Sequence, residues 1–395
     1  MQVAAALSGA DRYDTAFDEV LDDLREGLGD VEPSLLVAFV GSAHEQHYVR
    51  LHHMLREAFP NATLVGSSAG GTIGGGQELE EGAGFAVTAA SLPGVHTHAF
   101  HIESDRVPKA EATDLWRQSV GLPDDAEQPS FVVLPDPFTG LGRYVIRGLD
   151  RTFEGSTVIG GLASGMQEAG EGALFVDADV HASGTAGLAM WGDIHLQPVV
   201  AQGCRPIGTP MFVTRGQDNV IAEIDGQSPA RVLQDLYEQL SDDDQSKLRH
   251  SLFVGMVMQD RQEVYGHGDF LIRNIVGLDG DTGALAIGAD VHPNTVIQFH
   301  LRDAETSAAD LRTLLAQSAA EHEAPPAGAL MFSCLGRGQG LYGKPHHDVG
   351  LVRSVFDDLP VGGFFCNGEI GPVQSTTHLH GYTTVLGLLR RRSSS

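Results

Sequence analysis

The chain has 395 residues, 42% of them apolar and 19% charged, and its 52 acidic residues against 25 basic ones give a net charge of −27. An acidic body of this kind repels phosphate backbones and anionic lipid, which excludes nucleic acids and membrane surfaces as expected partners. The length exceeds what one core usually serves, so two domains are expected, and no apolar run approaches the ~18 residues of a membrane-spanning helix.

The N-terminal "MQVAAALSGADRYDTAF" has no basic leader and no long apolar stretch, so it reads as a strand and then a helix, not as a signal peptide. Three longer segments then share one pattern. Residues 35–76, 131–165 and 330–371 each begin with a β-rich apolar run, continue through a polar loop and a helical stretch, and end in a second apolar run that breaks into glycines. In the third segment Val349, Val352, Val355, Phe356 and Leu359 recur at helical spacing. The paired runs start at 35 and 65, 131 and 158, and 330 and 361. Such steps have the length of a βαβ crossover. A further strand follows each unit, at residues 84–92, 184–192 and 380–390.

The middle of the chain differs. From Gly203 it reads as a hairpin turning at "GQDN", then a helix from about Ser228. A buried strand at 250–258 follows, and then a second hairpin around "GDTG". The expected fold is α/β (α+β), with two related domains, residues 1–220 and 221–395, whose mixed β-sheets are flanked by helices and built from repeated β-α-β-β units.

Several segments imitate chemistry. "GSSAG" matches the G-x-S-x-G elbow around Ser68, but "GTIGGG" cannot form the helix that an elbow needs. "GQGLYGKP" carries most of a P-loop, with Pro345 where the metal-binding hydroxyl belongs, so a tight loop or lid is expected. Histidines cluster at His44/His47/His52/His53, His96/His98/His101, His346/His347 and His378/His380, without the fixed spacing of a metal motif. Cys204, Cys334 and Cys366 are odd in number and fit no zinc pattern, which predicts thiols in a reducing cytoplasm. In "SCLGRG", Cys334 closes a buried strand beside Arg337, and a cysteine near an arginine is either a core residue or an activated nucleophile. In "GDFLIRNIVG", Arg273 is placed to clamp a carboxylate or to pair with an acid of the protein, with Asn274 next to it. "FFCNGEIGP" puts Asn367 and Glu369 into a glycine-framed turn, and only this third copy of the repeated design has a carboxylate there.

On "MFSCLGRG", "VRSVFDDLPVGGFFCNGEIGPV" and "HLHGYT", with "GCRPIGTPMFVTRGQDNVIAEIDG" before them and "VAFVGS" and "LVGSSAGGTIGGG" in the first half, the chain resembles the FIST family. The resemblance implies an N-terminal and a C-terminal FIST module acting as a sensory, signal-input protein that binds a small ligand, with amino acids proposed. It brings no catalytic residues. Some relatives resemble haem proteins that sense nitric oxide, and eukaryotic relatives join an F-box. The expected ligand contacts are Arg337, Asn367, Glu369, Arg273 and Asn274, with Cys334 beside them. An arginine would hold a carboxylate and Glu369 an amine. The alternatives are a haem cofactor, an enzyme using Cys334 or Glu369, and a scaffold for a signalling partner.

Overall fold

The computed structural model describes residues 1–124, 126–258, 265–266 and 268–392. Its first part is two copies of one path. The first copy is β1 (Gln2–Ser8), α1 (Tyr13–Leu28), β2 (Leu35–Gly41), α2 (Tyr48–Ala58), β3 (Thr63–Ala69), β4 (Gly71–Gly74), β5 (Gln77–Leu79) and β6 (Phe85–Ser91). The second is β7 (Val95–Ile102), α3 (Thr113–Val120), β8 (Ser130–Pro135), α4 (Gly142–Thr152), β9 (Val158–Gly161), β10 (Leu174–Val176), β11 (Asp179–His181) and β12 (Thr185–Gly192).

A third copy opens with β13 (His195–Gln202) and is interrupted by β14 (Cys204–Gln217), β15 (Val220–Ile224), α5 (Pro229–Gln239), α6 (Asp242–Ser251), β16 (Leu252–Val257), β17 (Phe270–Leu278), β18 (Leu285–Ile287) and β19 (Val296–Arg302). It resumes with α7 (Ala304–Ala320), β20 (Gly328–Cys334), α8 (Gln339–Tyr342), α9 (His347–Val355), β21 (Val361–Cys366), β22 (Glu369–Val373), β23 (Thr376–His380) and β24 (Thr383–Arg390).

The repeated unit has the order expected from the sequence. In each copy two strands pair in parallel across a helix: β2 with β3, β8 with β9, β20 with β21. The closing strand returns antiparallel to the first of them: β6 on β2, β12 on β8, β24 on β20. The fold is α+β, with mixed sheets flanked by helices.

What the sequence does not display is an exchange of hairpins. After its second core strand each copy leaves its own sheet. The β4–β5 hairpin joins β21 of the third copy, β10–β11 joins β3 of the first, and β22–β23 joins β9 of the second. Each six-stranded sheet therefore ends in a hairpin borrowed from another copy.

The glycines after the second apolar runs have a steric cause. Gly66, Gly160 and Gly363 pair with Ala38, Val133 and Met331 on the neighbouring parallel strand. A Cβ on any of the three would fall far inside van der Waals contact with that residue's carbonyl oxygen. Close backbone approach of this kind is open to glycine alone.

The inner faces of the three sheets share one core, with Val37 and Phe39 from the first, Val132 and Leu188 from the second, and Phe332 and Phe364 from the third. Phe39 stacks on Phe364 at 4.5 Å between ring centroids. Helices cover the outer faces. On α1, Phe17, Val20, Leu24 and Leu28 recur at helical spacing and pack on the first sheet with Leu51 and Leu55 of α2. Trp116, Val145 and Leu149 do the same on the second sheet, and Leu311, Leu315, Val349 and Val352 on the third.

Residues 202–310, with 380–382, form a second compact unit. Both hairpins expected in this region are present, and their closure into a barrel in the order β14-β15-β18-β17-β16-β19 goes beyond that reading. Ile207, Val213, Ile221, Val254, Phe299 and Leu301 fill it. The chain enters and leaves the barrel at adjacent points, since Asp303 N donates to Gly203 O at 3.3 Å.

Candidate functional site

Cys334 ends β20 and Cys366 ends β21, and the two are register partners on adjacent parallel strands. The chain then turns through Asn367 and Gly368, and Glu369 opens β22 opposite Gly161 of the second sheet. Glu369 thus sits at the point where the third copy crosses to its neighbour's sheet. Ser164 ties the three crossings together, because its Oγ donates to Phe365 O at 2.5 Å and accepts from Gly70 N at 2.8 Å.

Glu369 is fully buried. Its Oε2 accepts from Thr383 N at 2.9 Å, and its Oε1 accepts from the Cys366 thiol at 3.7 Å. Cys334 is a further side-chain hydrogen-bond partner of this carboxyl. Burial pushes the Glu369 carboxyl up to about 8, against the pull of the Thr383 amide and Arg337. Burial also raises the Cys366 thiol well above its usual range, and the neighbouring Glu369 adds to that.

The second half of the site is an ion pair. Arg337 is 2% exposed and grips Asp348 with both arms of its fork, Nε to Oδ2 at 2.6 Å and Nη2 to Oδ1 at 3.1 Å. His347 Nδ1 lies 2.9 Å from Asp348 Oδ1, and Thr384 Oγ1 donates to Oδ2 at 2.8 Å. Burial alone would raise Asp348, but Arg337 and these hydrogen bonds override it and hold the carboxyl well below the usual range. Burial likewise works against the Arg337 charge, and Asp348 more than restores it.

A third carboxylate arrives on the borrowed hairpin. Glu78 of β5 is 4% exposed, and its Oε1 accepts from Val349 N in the first turn of α9 at 2.7 Å. Burial, followed by repulsion from Asp348, pushes Glu78 up to about 7. Two atoms of this cluster are buried without a hydrogen-bond partner among the described residues, Glu78 Oε2 and Arg337 Nη1. A buried charged group left in that state costs at least about 1–3 kcal/mol.

Residues 335–346 link the two halves of the site. Glycines with positive φ, Gly338 at 83° and Gly343 at 70°, frame α8, and His346 follows in the left-handed region at φ 56°. This segment is fastened to the borrowed hairpin, as Gln339 N donates to Glu80 Oε1 at 2.6 Å and Glu78 N donates to His346 Nδ1 at 2.9 Å. The Tyr342 ring stacks on His347 at 3.5 Å. A short helix thus stands where the sequence predicts only a loop.

Of the residues expected from the sequence, Arg337, Glu369 and Cys334 come together here. Asn367 lies in the same turn but is exposed, with its backbone N donating to Leu162 O. Arg273 and Asn274 belong to the barrel unit, where Arg273 Nη1 donates to Ile272 O at 2.9 Å and Asn274 Oδ1 accepts from the Tyr382 hydroxyl at 3.0 Å. Glu78 and Asp348 are the residues that the sequence reading lacks. Ser68 lies inside β3 and accepts from Ala173 N, so it does not stand on a nucleophile elbow. His44 and His52 each spend a ring nitrogen on a backbone oxygen, and among the described residues no group of three or more His, Cys, Asp or Glu side chains is arranged to hold a metal. A surface cavity of about 730 Å³ beside Arg117, Arg151 and Phe153 is remote in sequence from this cluster and shares no residue with it.

Residues 34–227 match the FIST N domain and residues 229–372 match the FIST C domain. The chain belongs to the FIST family. FIST domains are sensory domains of signal-transduction proteins. An uncharacterized protein of Mycobacterium tuberculosis is 35% identical over 388 residues, 98% of this chain and 99% of that one. An uncharacterized protein of Mycobacterium bovis is 32% identical over 370 residues, 94% of each chain. Human F-box only protein 22 is 32% identical over 141 residues, 31% of this chain and 34% of that one. A crystal structure of cyanuric acid hydrolase from A. caulinodans covers 99% of the chain at 11% identity and a TM-score of 0.34, too remote to carry an inference. Within the FIST frame, Cys334, Arg337, Asp348, Cys366 and Glu369 lie in the C-terminal match, whereas Glu78 lies in the N-terminal one. No helix among the described residues is long and apolar enough to cross a membrane.

Proposed function

We propose that this FIST protein is a sensor of a small polar ligand with an anionic and a cationic end, a free amino acid being the simplest case, and that the ligand binds at the Arg337–Glu78–Glu369 cluster. The observation behind the proposal is the pair of unmet atoms, one cationic donor and one carboxylate acceptor, inside a single buried cluster. Folded proteins leave few such groups unpaired. A ligand carboxylate on Arg337 Nη1 and an ammonium on Glu78 Oε2 would meet both needs. The Asp348 contact keeps the Arg337 fork rigid, so little side-chain entropy is lost on binding.

Entry requires residues 338–346 to swing away while Arg337 stays on Asp348, and release of the Gln339 and His346 bonds to Glu80 and Glu78 is the conformational change available to signal occupancy. Calorimetric titration of the purified protein with a panel of free amino acids tests this reading. Binding of at least one, and none of its N-acetyl amide derivative, is expected. Heats no greater than dilution across the whole panel would reject it.

A further inference from the structure

Cys334 and Cys366 are the last residues of β20 and β21 and stand opposite one another in parallel register. Register partners on neighbouring strands project from the same face, with backbones about 4.8 Å apart, inside the range of about 4.4–6.8 Å between Cα atoms that a disulfide spans. Both thiols have the Glu369 carboxyl as a hydrogen-bond partner. Their exposures differ: Cys334 is partly open and Cys366 is fully buried behind it. The positively charged Arg337 is within electrostatic reach of Cys334. In the barrel unit, Cys204 is also a buried thiol and supplies an internal control.

We propose that Cys334 and Cys366 form a reversible dithiol–disulfide pair that reacts with hydroperoxides, with Cys334 as the attacked thiol, Cys366 as the resolving thiol and Glu369 as the group that takes up and returns the proton. In the first step the Cys334 thiolate attacks the distal peroxide oxygen. An S–O bond forms, the O–O bond breaks, and the leaving alkoxide or hydroxide takes up the proton that Cys334 released in forming the thiolate, becoming alcohol or water. In the second step the Cys366 sulfur attacks the Cys334 sulfenic sulfur, its proton passing to one oxygen of the Glu369 carboxyl as the carboxyl's own proton passes to the departing hydroxyl. The S–S bond forms, the S–O bond breaks, and the oxygen leaves as water. The two thiols together lose two electrons to one hydroperoxide, which yields one alcohol and one water.

Arg337 beside Cys334 favours the thiolate in the first step. A raised carboxyl pKa at Glu369 suits a group that must carry a proton near neutral pH. Because Cys334 follows Ser333 on the strand and leads directly into residues 335–346, a bond to Cys366 would draw the root of that segment against β21. The pair is independent of any bound ligand, so failure of either proposal leaves the other testable.

The test treats the full-length wild-type protein with a small molar excess of hydrogen peroxide. Remaining thiols are alkylated under denaturing conditions, and the digest is read by mass spectrometry. Two of three thiols should disappear, with a Cys334–Cys366 linked peptide that dithiothreitol returns to the thiols and Cys204 alkylated throughout. Cys366→Ser should instead accumulate Cys334 sulfenic acid, trapped by dimedone. Retention of all three thiols, or oxidation of Cys334 straight to sulfinic acid without a linked peptide in the wild type, would overturn the proposal. The wild-type result stands whether or not the variant folds.

Discussion

Glu78 and Arg337 come from different copies of the repeated unit, and each keeps one side-chain atom buried without a hydrogen-bond partner among the described residues, Oε2 of the one and Nη1 of the other. They share a cluster because the β4–β5 hairpin leaves the first sheet and pairs with β21 of the third. The exchange of hairpins is therefore what builds the site as well as what ties the three copies together.

Arg337→Ala should destabilise the protein strongly. The substitution leaves Asp348 buried with His347 and Thr384 as its side-chain partners among the described residues. Removing one member of a buried pair typically costs about 3–5 kcal/mol. Arg337→Lys should recover part of this, since an ammonium cannot reproduce the bidentate fork. Urea unfolding of the three proteins measures the effect. A loss below about 1 kcal/mol for the alanine variant would mean that Asp348 finds another partner.

Stability should fall as pH rises from about 6.5 to slightly above 8, beyond the acid range in which His44, His52, His181 and His195, held below 6.5 by burial, add stability with rising pH. Glu369 and Glu78 have folded-state values pushed up to about 8 and about 7, above the 4.5 of a free glutamate. Between 4.5 and those values the folded state holds protons that the unfolded state has released, so the slope of unfolding free energy with pH is negative there. The contribution is fully present below 4.5 and is lost as pH rises through about 7 and 8. Asp348 acts in the opposite sense. Its lowered carboxyl stabilises the fold above 3.8, and that contribution is lost as pH falls below it. Denaturant midpoints across pH 6.5 to 9 should show the decline, and Glu369→Gln should flatten its upper part. A wild-type midpoint that rises across this window would be inconsistent with neutral, buried carboxyls.

Gly66→Ala, Gly160→Ala and Gly363→Ala should each cost more than an ordinary overpacking substitution, which is about 1–3 kcal/mol. In each case the new methyl group meets a backbone carbonyl that cannot move without breaking a parallel pair. Gly340→Ala, whose Cβ meets nothing, is the control and should lie within about 0.5 kcal/mol of wild type. Thermal unfolding of the four variants compares them directly. Equal midpoints for all four would remove the steric reading of the repeated glycines.

The three βαβ units were legible because each rests on local signals: an apolar run, a helical period, and a second apolar run that starts about 30 residues after the first and breaks into glycines. The glycine motifs "LVGSS", "VIGG" and "VGGFF" were visible as a common design, and the structure gives their shared cause in the approach of Ala38, Val133 and Met331. Glu369 stood out because it breaks that common pattern. Asp348 did not, because an acid next to two histidines at the start of a helix reads as an ordinary helix start. Glu78 was invisible for a different reason. Its partners are far away in the sequence, and no local pattern marks which sheet a short hairpin will join. The barrel's strands were readable one by one, but closure depends on the pairing of β14 with β19, which no spacing announces.

The most direct measurement of the central claim is a calorimetric comparison of wild type with Glu78→Gln, titrated with whichever free amino acid binds best. The substitution keeps the shape and the acceptor that receives Val349 N while removing the charge proposed to meet the ammonium. Binding to the variant should be at least about tenfold weaker, a difference of about 1.4 kcal/mol, with an unfolding midpoint close to that of wild type. Equal affinity in the two proteins would contradict a ligand seated between Glu78 and Arg337.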